Sequence, residues 1–305
     1  MKFIVQSTAV WDSISFPGGG EAREAPGGAG FYALAGMKVW EDDVAIVTGV
    51  GADYLDRFGK WYQDNSITTA GLMVKDPHTP RTLVCYDGDG ERVEKPFFGP
   101  AHYRSMEARP EEIGQFCGGC EGVYVFKNLD PAYWDGLLAL KRKYGFALMW
   151  EIAANVTVPE NLSKIREIAE QADVFSINKT EAKSMFGAED ETELIRRFQQ
   201  WQIPLVYLRL GSRGVCLIRG GSAVFVPSVP DAQVVDATGG GNSSSGGALI
   251  GYCRGCSLEE IGAMGNVSAS FCIAQWGAPE RFDAALRAEA ERRLGKVLSL
   301  TAELD

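Results

Sequence analysis

The residues best suited to chemistry form one short stretch, residues 234–250, in which three consecutive glycines lead into a run of small residues. Gly239, Gly240 and Gly241 carry no Cβ, so the backbone N–H groups of the turn can approach one bound group closely. A helix that begins here adds its own unpaired N–H groups and the positive end of its dipole. The stretch therefore predicts an anion site that suits a phosphate, although a tight strand-to-helix turn without a ligand would show the same glycines.

The residues on either side of the glycines narrow that prediction. Asp236, Ala237 and Thr238 precede the turn, and Asn242 and Ser243 follow it. This order resembles the C-terminal signature of the PfkB carbohydrate kinases, the ribokinase-like family. The resemblance implies that the three glycines form the anion hole and that Thr238 lies beside the nucleotide. In that family an Asp usually stands where Asn242 stands here, and it removes the proton from the accepting hydroxyl.

Asn242 cannot accept that proton, because an amide is essentially non-basic near neutral pH, and loss of a general base typically lowers a rate by about 10²–10⁴. One hypothesis is an atypical ATP-dependent phosphotransferase that acts on a hydroxyl of a sugar, nucleoside or similar small molecule. Asn242 would then orient the hydroxyl, while water, Asp12 or Asp236 accepts the proton. The alternative is a catalytically impaired protein that binds nucleotide and sugar. The intact glycines favour the first hypothesis, since nucleotide binding needs them.

The N-terminal part supplies the predicted substrate-binding residues. An apolar run over residues 3–10 predicts a first strand that leads to Asp12, and an acid there would point into the crevice where ligands bind, unless it is a solvated loop carboxylate. In the PfkB family the matching Asp binds sugar hydroxyls. Gly27 and Gly28 open a predicted helix and resemble the N-terminal PfkB motif, which usually carries an Asn where Tyr32 stands here. The aromatic side chain suggests a changed or narrowed substrate pocket.

Gly28-x-Gly30-x-x-Ala33 also matches a dinucleotide-binding fingerprint. That fingerprint requires a strand directly before its first glycine. Residues 21–26 are rich in charge and end in Pro26, and they do not predict a strand. We therefore reject the dinucleotide interpretation on its context.

The predicted nucleotide side lies in the second half of the chain. Asn178 and Glu181 follow an apolar strand, where Asn-x-x-Glu is also typical of an ordinary helix start. In the PfkB family this motif arranges magnesium, its waters and the phosphates, so the resemblance implies that Glu181 holds magnesium through water. Arg209 or Arg213 would meet a phosphate, unless both are solvated on a hairpin turn. The other residues that the resemblance places beside Mg-ATP are Gly211, Ser212, Gly214 and Asn266.

The elements that must position these residues alternate in type after residue 122. Strands are predicted at 122–126, 146–151, 173–177, 204–210, 214–219 and 222–227, and helices at 130–143, 160–171, 179–186 and 190–202. Such alternation predicts a mostly parallel sheet with helices on both faces. With the resemblance, it predicts one ribokinase-like domain over residues 1–305 with a three-layer α/β/α architecture.

A second, smaller sheet is predicted outside that core. Residues 44–51 predict one buried strand and residues 53–64 an amphipathic helix. Two β-prone runs flank an Asp-Gly turn signal at 87–90, and such a hairpin needs further strands for stability. We expect segments of about 13–26 and 80–98 to join as a small β lid over the substrate. Many PfkB kinases are homodimers through the lid and many need a monovalent cation; these residues decide neither.

Composition and charge exclude other classes of protein. The chain has 305 residues and a net charge of −10 without a dense basic cluster, so nucleic acid is not an expected partner. No apolar run approaches the roughly 18 residues that span a bilayer, and the first residues turn polar too soon for a signal peptide. We expect a cytoplasmic protein that acts on a small molecule.

The cysteines do not predict a disulfide framework or a metal site. Their number, 7, is odd, and the chain is too long to need such a framework. Two Cys-x-x-Cys pairs, Cys117/Cys120 and Cys253/Cys256, could bind zinc, but they lie far apart and only 2 histidines are present. Buried or incidental thiols are the expected outcome.

Overall fold

The structure is a computed structural model that describes residues 1–15, 21–86 and 92–302. Its strands are β1 (Phe3–Gln6), β2 (Val10–Ser15), β3 (Arg23–Gly27), β4 (Val44–Ile46), β5 (Thr48–Gly51), β6 (Leu72–Asp76), β7 (Arg81–Tyr86), β8 (Arg92–Pro96), β9 (Gly122–Lys127), β10 (Ala147–Ile152), β11 (Val174–Asn178), β12 (Leu205–Arg209), β13 (Gly214–Arg219) and β14 (Ser222–Pro227). Its α-helices are α1 (Ala29–Lys38), α2 (Tyr54–Asp64), α3 (Pro100–Met106), α4 (Pro110–Gly114), α5 (Pro131–Tyr144), α6 (Leu162–Ala169), α7 (Lys179–Phe186), α8 (Glu191–Phe198), α9 (Gly240–Cys253), α10 (Leu258–Cys272) and α11 (Ala284–Ala302). None of the helices in these ranges is long and apolar enough to cross a lipid bilayer.

The central sheet has eight strands in the order β14-β13-β12-β11-β10-β9-β1-β4. From β4 to β12 every neighbouring pair is parallel, and β13 and β14 add an antiparallel edge. The middle strands are almost continuously apolar and buried, as parallel strands covered on both faces must be. The predicted, mostly parallel sheet is confirmed.

Helices cover both faces of this sheet. Side chains alternate along each strand, so Phe3 and Val5 pack into one apolar layer while Ile4 packs into the other. The first layer contains residues of α1, α9, α10 and α11, and the second contains residues of α4 to α8. The architecture is therefore the predicted three-layer α/β/α arrangement.

A four-stranded sheet in the order β3-β2-β7-β8 stands beside the central one. β2 pairs with β3 in antiparallel fashion and with β7 in parallel, and β7 pairs with β8 in antiparallel fashion. The Asp-Gly turn at 87–90 lies outside the described residues. β5 and β6 form a separate two-stranded sheet.

Three predictions about the N-terminal part are wrong. β1 ends at Gln6, so Asp12 lies inside β2 of the small sheet and not at the end of the first strand. The segment before Gly28 is a strand, β3, because an edge strand pairs on one side only and tolerates Pro26. Residues 44–51 form two strands, β4 and β5, in different sheets. β3 belongs to the small sheet, so it does not supply the central parallel strand of a dinucleotide fold.

Candidate active site

The carboxyl ends of the parallel strands bring polar residues to one edge of the central sheet. Lys127 ends β9, Glu151 lies one residue before the end of β10, and Asn178 and Arg209 end β11 and β12. Asn178 and Arg209 are paired directly in the ladder between their strands. Since ligands bind in the crevice outside such strand ends, this edge is the candidate site.

Helix α9 begins at the same edge, directly after the glycine turn. Gly239 has φ of 74°, in the left-handed region that favours glycine, and is the N-cap residue of the helix. A Cβ at Gly239 would stand 2.0 Å from Cγ of Tyr32, and a Cβ at Gly241 would stand 2.1 Å from Nη1 of Arg209. The turn therefore depends on glycine both for its backbone conformation and for these close contacts.

Asp236 stabilises the backbone just before the glycine turn. Its Oδ1 accepts hydrogen bonds from the backbone N–H of Thr238 at 2.9 Å and from the Thr238 hydroxyl at 2.6 Å. This arrangement fixes the chain before Gly239. Asp236 lines neither of the two cavities at this edge, so its position gives no support to the hypothesis that it accepts a proton.

Two cavities meet at the glycine turn. The first, of about 580 Å³, lies along the strand ends and is bordered by residues of the small sheet, including Asp12 and Thr82. The second, of about 490 Å³, lies between the β12–β13 turn and helix α10. Arg209, Ala237 and Gly241 line both cavities. The turn is thus the boundary between two separate binding spaces.

Most of the predicted site residues line one of these cavities. Those in the first cavity are Asp12, Gly28, Tyr32, Glu181, Arg209, Thr238, Gly239, Gly241 and Asn242. Those in the second are Arg209, Gly211, Ser212, Gly214, Gly240, Gly241 and Asn266. Glu181 and Thr238, predicted on the nucleotide side, therefore border the first cavity.

Gly27 and Asn178 line neither cavity. A Cβ at Gly27 would overlap the Asp12 carboxylate at 1.8 Å, so this glycine makes room for Asp12. Asn178 caps α7: its Oδ1 accepts a hydrogen bond from the Glu181 backbone N–H, and the Glu181 carboxylate accepts one from the Asn178 N–H, at 2.9 and 2.8 Å. These reciprocal hydrogen bonds form a capping box, which places Asn178 and Glu181 at the start of helix α7.

Arg209 lies between two carboxylates. Its Nη1 is 2.9 Å from Oε1 of Glu151, and its Nη2 is 3.7 Å from Oε2 of Glu181. Burial acts to lower the pKa of Arg209, but the two negative charges outweigh it and raise that pKa. For Glu181, burial raises the pKa against the opposing effect of Arg209. The guanidinium is therefore fully charged and held at the boundary of the cavities.

Glu151 also contacts the residue that follows the glycine turn. The Asn242 Nδ2 donates to Oε1 of Glu151 at 2.8 Å and to the Tyr124 hydroxyl at 3.3 Å, and that hydroxyl donates to Oε2 of Glu151 at 2.9 Å. Glu151, which was not predicted as a site residue, is only 2% exposed and lines the first cavity. The sequence signal that could have identified it is an acidic residue near the carboxyl end of an otherwise apolar strand.

Further polar groups of the first cavity come from elements whose roles were not predicted. The Tyr103 and Thr82 hydroxyls are 2.5 Å apart, and burial raises the pKa of Tyr103 to about 12. Lys127 forms an ion pair with Glu107. Hydroxyl, ammonium and carboxylate groups of this kind can donate to and accept from the hydroxyls of a polar small molecule.

The site fits a phosphate group better than a protein-bound metal. Nε of Arg209 is buried and lacks a hydrogen-bond partner within the described residues, so an anion could satisfy it. Across those residues, no group of three or more His, Cys, Asp or Glu could hold a metal ion, and the cysteines are free thiols. A magnesium ion here would therefore need phosphate oxygens and water among its ligands.

Comparison with known proteins gives consistent matches. The model of the pfkB family carbohydrate kinase matches residues 18–283. A cytidine kinase from Thermococcus kodakarensis is 30% identical, covering 87% of this chain and 94% of its own. The crystal structure of adenosine kinase from Sinorhizobium meliloti has a TM-score of 0.80 at 22% identity, covering 95% of this chain and 98% of that one. A putative ribokinase II from E. coli, in complex with ATP and Mg²⁺, has a TM-score of 0.78 at 15% identity, covering 97% and 99%.

Proposed function

Because this chain belongs to the PfkB family of carbohydrate kinases and has the ribokinase-like fold, we propose that it transfers a phosphoryl group from ATP to a hydroxyl of a nucleoside, sugar or similar small molecule. One observation carries the proposal: the glycine turn stands where two cavities meet, with Gly239 in the first and Gly240 in the second. A group that moves between two bound molecules must cross such a boundary. The similarity to a cytidine kinase makes nucleosides the first acceptors to test.

The two cavities would hold the two substrates. The second, lined by Gly211, Gly214 and Asn266, would bind the nucleotide, because glycines permit close backbone approach to phosphates. The first would bind the acceptor, whose hydroxyls would meet polar groups such as Asp12 and Tyr103. The small sheet, which borders this cavity, would act as its lid.

Catalysis would rest on positioning and on charge stabilisation, as in other phosphoryl transfers. The N–H groups at the start of α9 and the guanidinium of Arg209 would bind the oxygens of the phosphoryl group as its charge shifts. Asn242 would orient the acceptor hydroxyl. Magnesium, when bound with ATP, would neutralise phosphate charge, and Glu181 is the residue that would hold it through water.

Calorimetric titration with Mg-ATP and Mg-ADP, followed by an ATP-consumption screen against nucleosides and sugars, tests the proposal. We expect binding of both nucleotides and turnover with at least one acceptor. Binding without turnover on any acceptor would favour the alternative, a protein that binds nucleotide and sugar but is catalytically impaired. Failure to bind either nucleotide at millimolar concentration would overturn both.

Three matched variants test the division between the cavities. Ala232→Trp fills the second cavity, Ala153→Trp fills the first, and Ala139→Trp lies on the exposed side of α5 as a control. We expect the first variant to weaken ATP binding, the second to raise the acceptor KM with ATP binding unchanged, and the third to change neither. An equal effect of the first two on ATP binding would contradict the division.

A further inference from the structure

The residue that follows the glycine turn is an amide, yet a carboxylate lies beside it. Oε1 of Glu151 is 2.8 Å from Nδ2 of Asn242, and both residues line the first cavity together with Gly241. The carboxylate is carried by strand β10 and the amide by helix α9. The site thus contains a group that can accept a proton next to one that cannot.

Other carboxylates of the first cavity are placed differently. Glu181 accepts a hydrogen bond from the backbone N–H of Asn178 and so caps α7. Glu107 is paired with Lys127. Asp12 lies against Gly27 in the small sheet, and Glu94 lies on strand β8 of the same sheet. Within the described residues, Glu151 is the carboxylate that hydrogen-bonds to Asn242.

We propose that Glu151 is the catalytic residue that accepts the proton of the acceptor hydroxyl. This proposal rests on the proposed kinase function. The hydroxyl oxygen forms a bond to the γ-phosphorus of ATP, the bond from that phosphorus to the β–γ bridging oxygen breaks, and its electron pair leaves with ADP. The hydroxyl proton passes to the Glu151 carboxylate, which later releases it to water.

The hydrogen bonds around Glu151 leave room for this role. A carboxylate offers about four acceptor sites on its two oxygens. Oε1 accepts a hydrogen bond from Asn242 and forms an ion pair with Arg209, and Oε2 accepts a hydrogen bond from Tyr124. One acceptor site therefore remains for a substrate hydroxyl.

The charged and titratable neighbours of Glu151 come from three elements. Arg209 from β12 pairs with its Oε1, Tyr124 from β9 donates a hydrogen bond to its Oε2, and Glu181 from α7 contacts the same guanidinium. In a loose transition state the hydroxyl becomes acidic only as its oxygen bonds to phosphorus, so the proton would transfer late.

The test compares four proteins: wild type, Glu151→Gln, the double variant Glu151→Gln/Asn242→Asp, and the control Glu160→Gln on the exposed surface. In the double variant the donor and acceptor of the 2.8 Å contact are exchanged, so one carboxylate remains beside Arg209. Each protein is measured for Mg-ATP affinity by calorimetry, for thermal unfolding, and for kcat as a function of pH.

We expect Glu151→Gln to lower kcat by about 10²–10⁴ and to abolish the acidic limb of the kcat–pH profile, with Mg-ATP affinity changed by less than about threefold. The double variant should have a kcat at least about tenfold higher than that of Glu151→Gln, and its kcat–pH profile should again show an acidic limb. A group that only supported the fold would change affinity and unfolding temperature without removing the limb. Glu160→Gln should match the wild type throughout.

Three results would overturn the proposal. If Glu151→Gln keeps kcat within about threefold of wild type, another group accepts the proton and the kinase function stands. If Glu151→Gln unfolds, Glu151→Asp decides, because it keeps a carboxylate and leaves Asn242 unchanged: a wild-type kcat–pH profile in it rejects the proposal, and a lowered kcat with a displaced acidic limb supports it. If wild type binds Mg-ATP but phosphorylates no acceptor, the kinase function fails first, and the role of Glu151 fails with it.

Discussion

The ring of Tyr32 lies directly against Gly239, so that a Cβ at position 239 would stand 2.0 Å from Cγ of the ring. Tyr32 is only 2% exposed and belongs to α1, which packs along α9. The contact therefore joins the first helix of the chain to the glycine turn more than two hundred residues later. The shape of the glycine turn therefore depends on the aromatic ring of Tyr32, which was predicted in the substrate pocket.

Gly239→Ala should disrupt this turn. A left-handed backbone costs a non-glycine residue about 1–2 kcal/mol, and overpacking against Tyr32 adds about 1–3 kcal/mol. We expect a loss of at least about 2 kcal/mol in unfolding free energy, measured by urea denaturation, and loss of Mg-ATP binding by calorimetry.

Gly118→Ala is the matched control for that variant. A Cβ at Gly118 would have no atom within 4 Å, and the residue is exposed. It should change stability by less than about 0.5 kcal/mol. Wild-type stability and nucleotide affinity in Gly239→Ala would contradict the proposed need for glycine at the turn.

Arg209→Gln should lower the free energy of unfolding far more than Arg213→Gln does. Removing the Arg209 guanidinium leaves the buried Glu151 and the partly buried Glu181 without their cation, and loss of one partner from a buried pair costs about 3–5 kcal/mol. Arg213 pairs with Glu191 but is 52% exposed, so its loss should cost about 1 kcal/mol or less. Urea denaturation compares the two, and equal losses would contradict the buried role of Arg209.

The same pair of variants tests which of the two arginines binds the phosphates of ATP. Arg209 lines both cavities, whereas Arg213 lines neither. Mg-ATP affinity should therefore fall in Arg209→Gln and stay near that of the wild type in Arg213→Gln. The reverse order would place the phosphates beside Arg213, outside both cavities.

Much of the fold could be predicted because the signals are local. Alternating apolar runs and amphipathic segments after residue 122 predict the strands and helices that the structure contains. The glycines at 239–241 similarly mark a turn that needs glycine, for the left-handed φ of Gly239 and for the close contacts at Gly239 and Gly241. Periodicity and backbone requirements of this kind depend on residues that are close together in the sequence, so the sequence alone can reveal them.

The remaining features depend on contacts between distant segments. The chain passes from β1 in the central sheet to β2 in the small sheet within one β-prone stretch. Backbone hydrogen bonds from Gly30 to Thr8 and from Trp11 to Pro80 fix this change of sheet. Glu151 gains its importance only from Asn242 and Arg209, which lie on other elements. A lone acid in an apolar strand does not reveal such partners.

Asp42→Asn should lower stability at neutral pH but not in strong acid. Asp42 accepts hydrogen bonds from Arg287 at 2.6 and 2.8 Å and from Lys38 at 2.7 Å, joining α1 to α11, and these bonds hold its pKa below the usual range. A carboxyl whose folded pKa is depressed stabilises the fold above its unfolded pKa, near about 4, and loses that contribution as pH falls through the folded value.

Because the Asp42 side chain is 68% exposed, the expected loss at pH 7 is only about 0.5–1 kcal/mol. Urea denaturation at pH 7 and at pH near 2 measures it, and the difference from wild type should shrink toward zero in acid. Asp135→Asn, on the exposed side of α5, controls for removal of a surface charge. A constant difference at both pH values would show that the ion pairs contribute nothing.

Asn242→Asp should destabilise the fold, and more so at higher pH. The wild-type contact of 2.8 Å from Asn242 to Glu151 would become a contact between two carboxylates, with Glu181 as a third acid around the single guanidinium of Arg209. Like charges this close cannot both ionise, so the pair would hold a proton and its folded pKa would rise. A raised pKa gives stability that is present at low pH and lost as pH rises through the folded value.

We therefore expect Asn242→Asp to unfold at lower urea than wild type at pH 8, by about 1–3 kcal/mol, and by clearly less at pH 5. The double variant Glu151→Gln/Asn242→Asp removes the second carboxylate and should abolish this pH-dependent loss. A double-mutant cycle at both pH values isolates the coupling between the two positions. If the cycle shows no coupling, or if the loss is the same at pH 5 and pH 8, the amide at position 242 is not there to accommodate the carboxylate of Glu151.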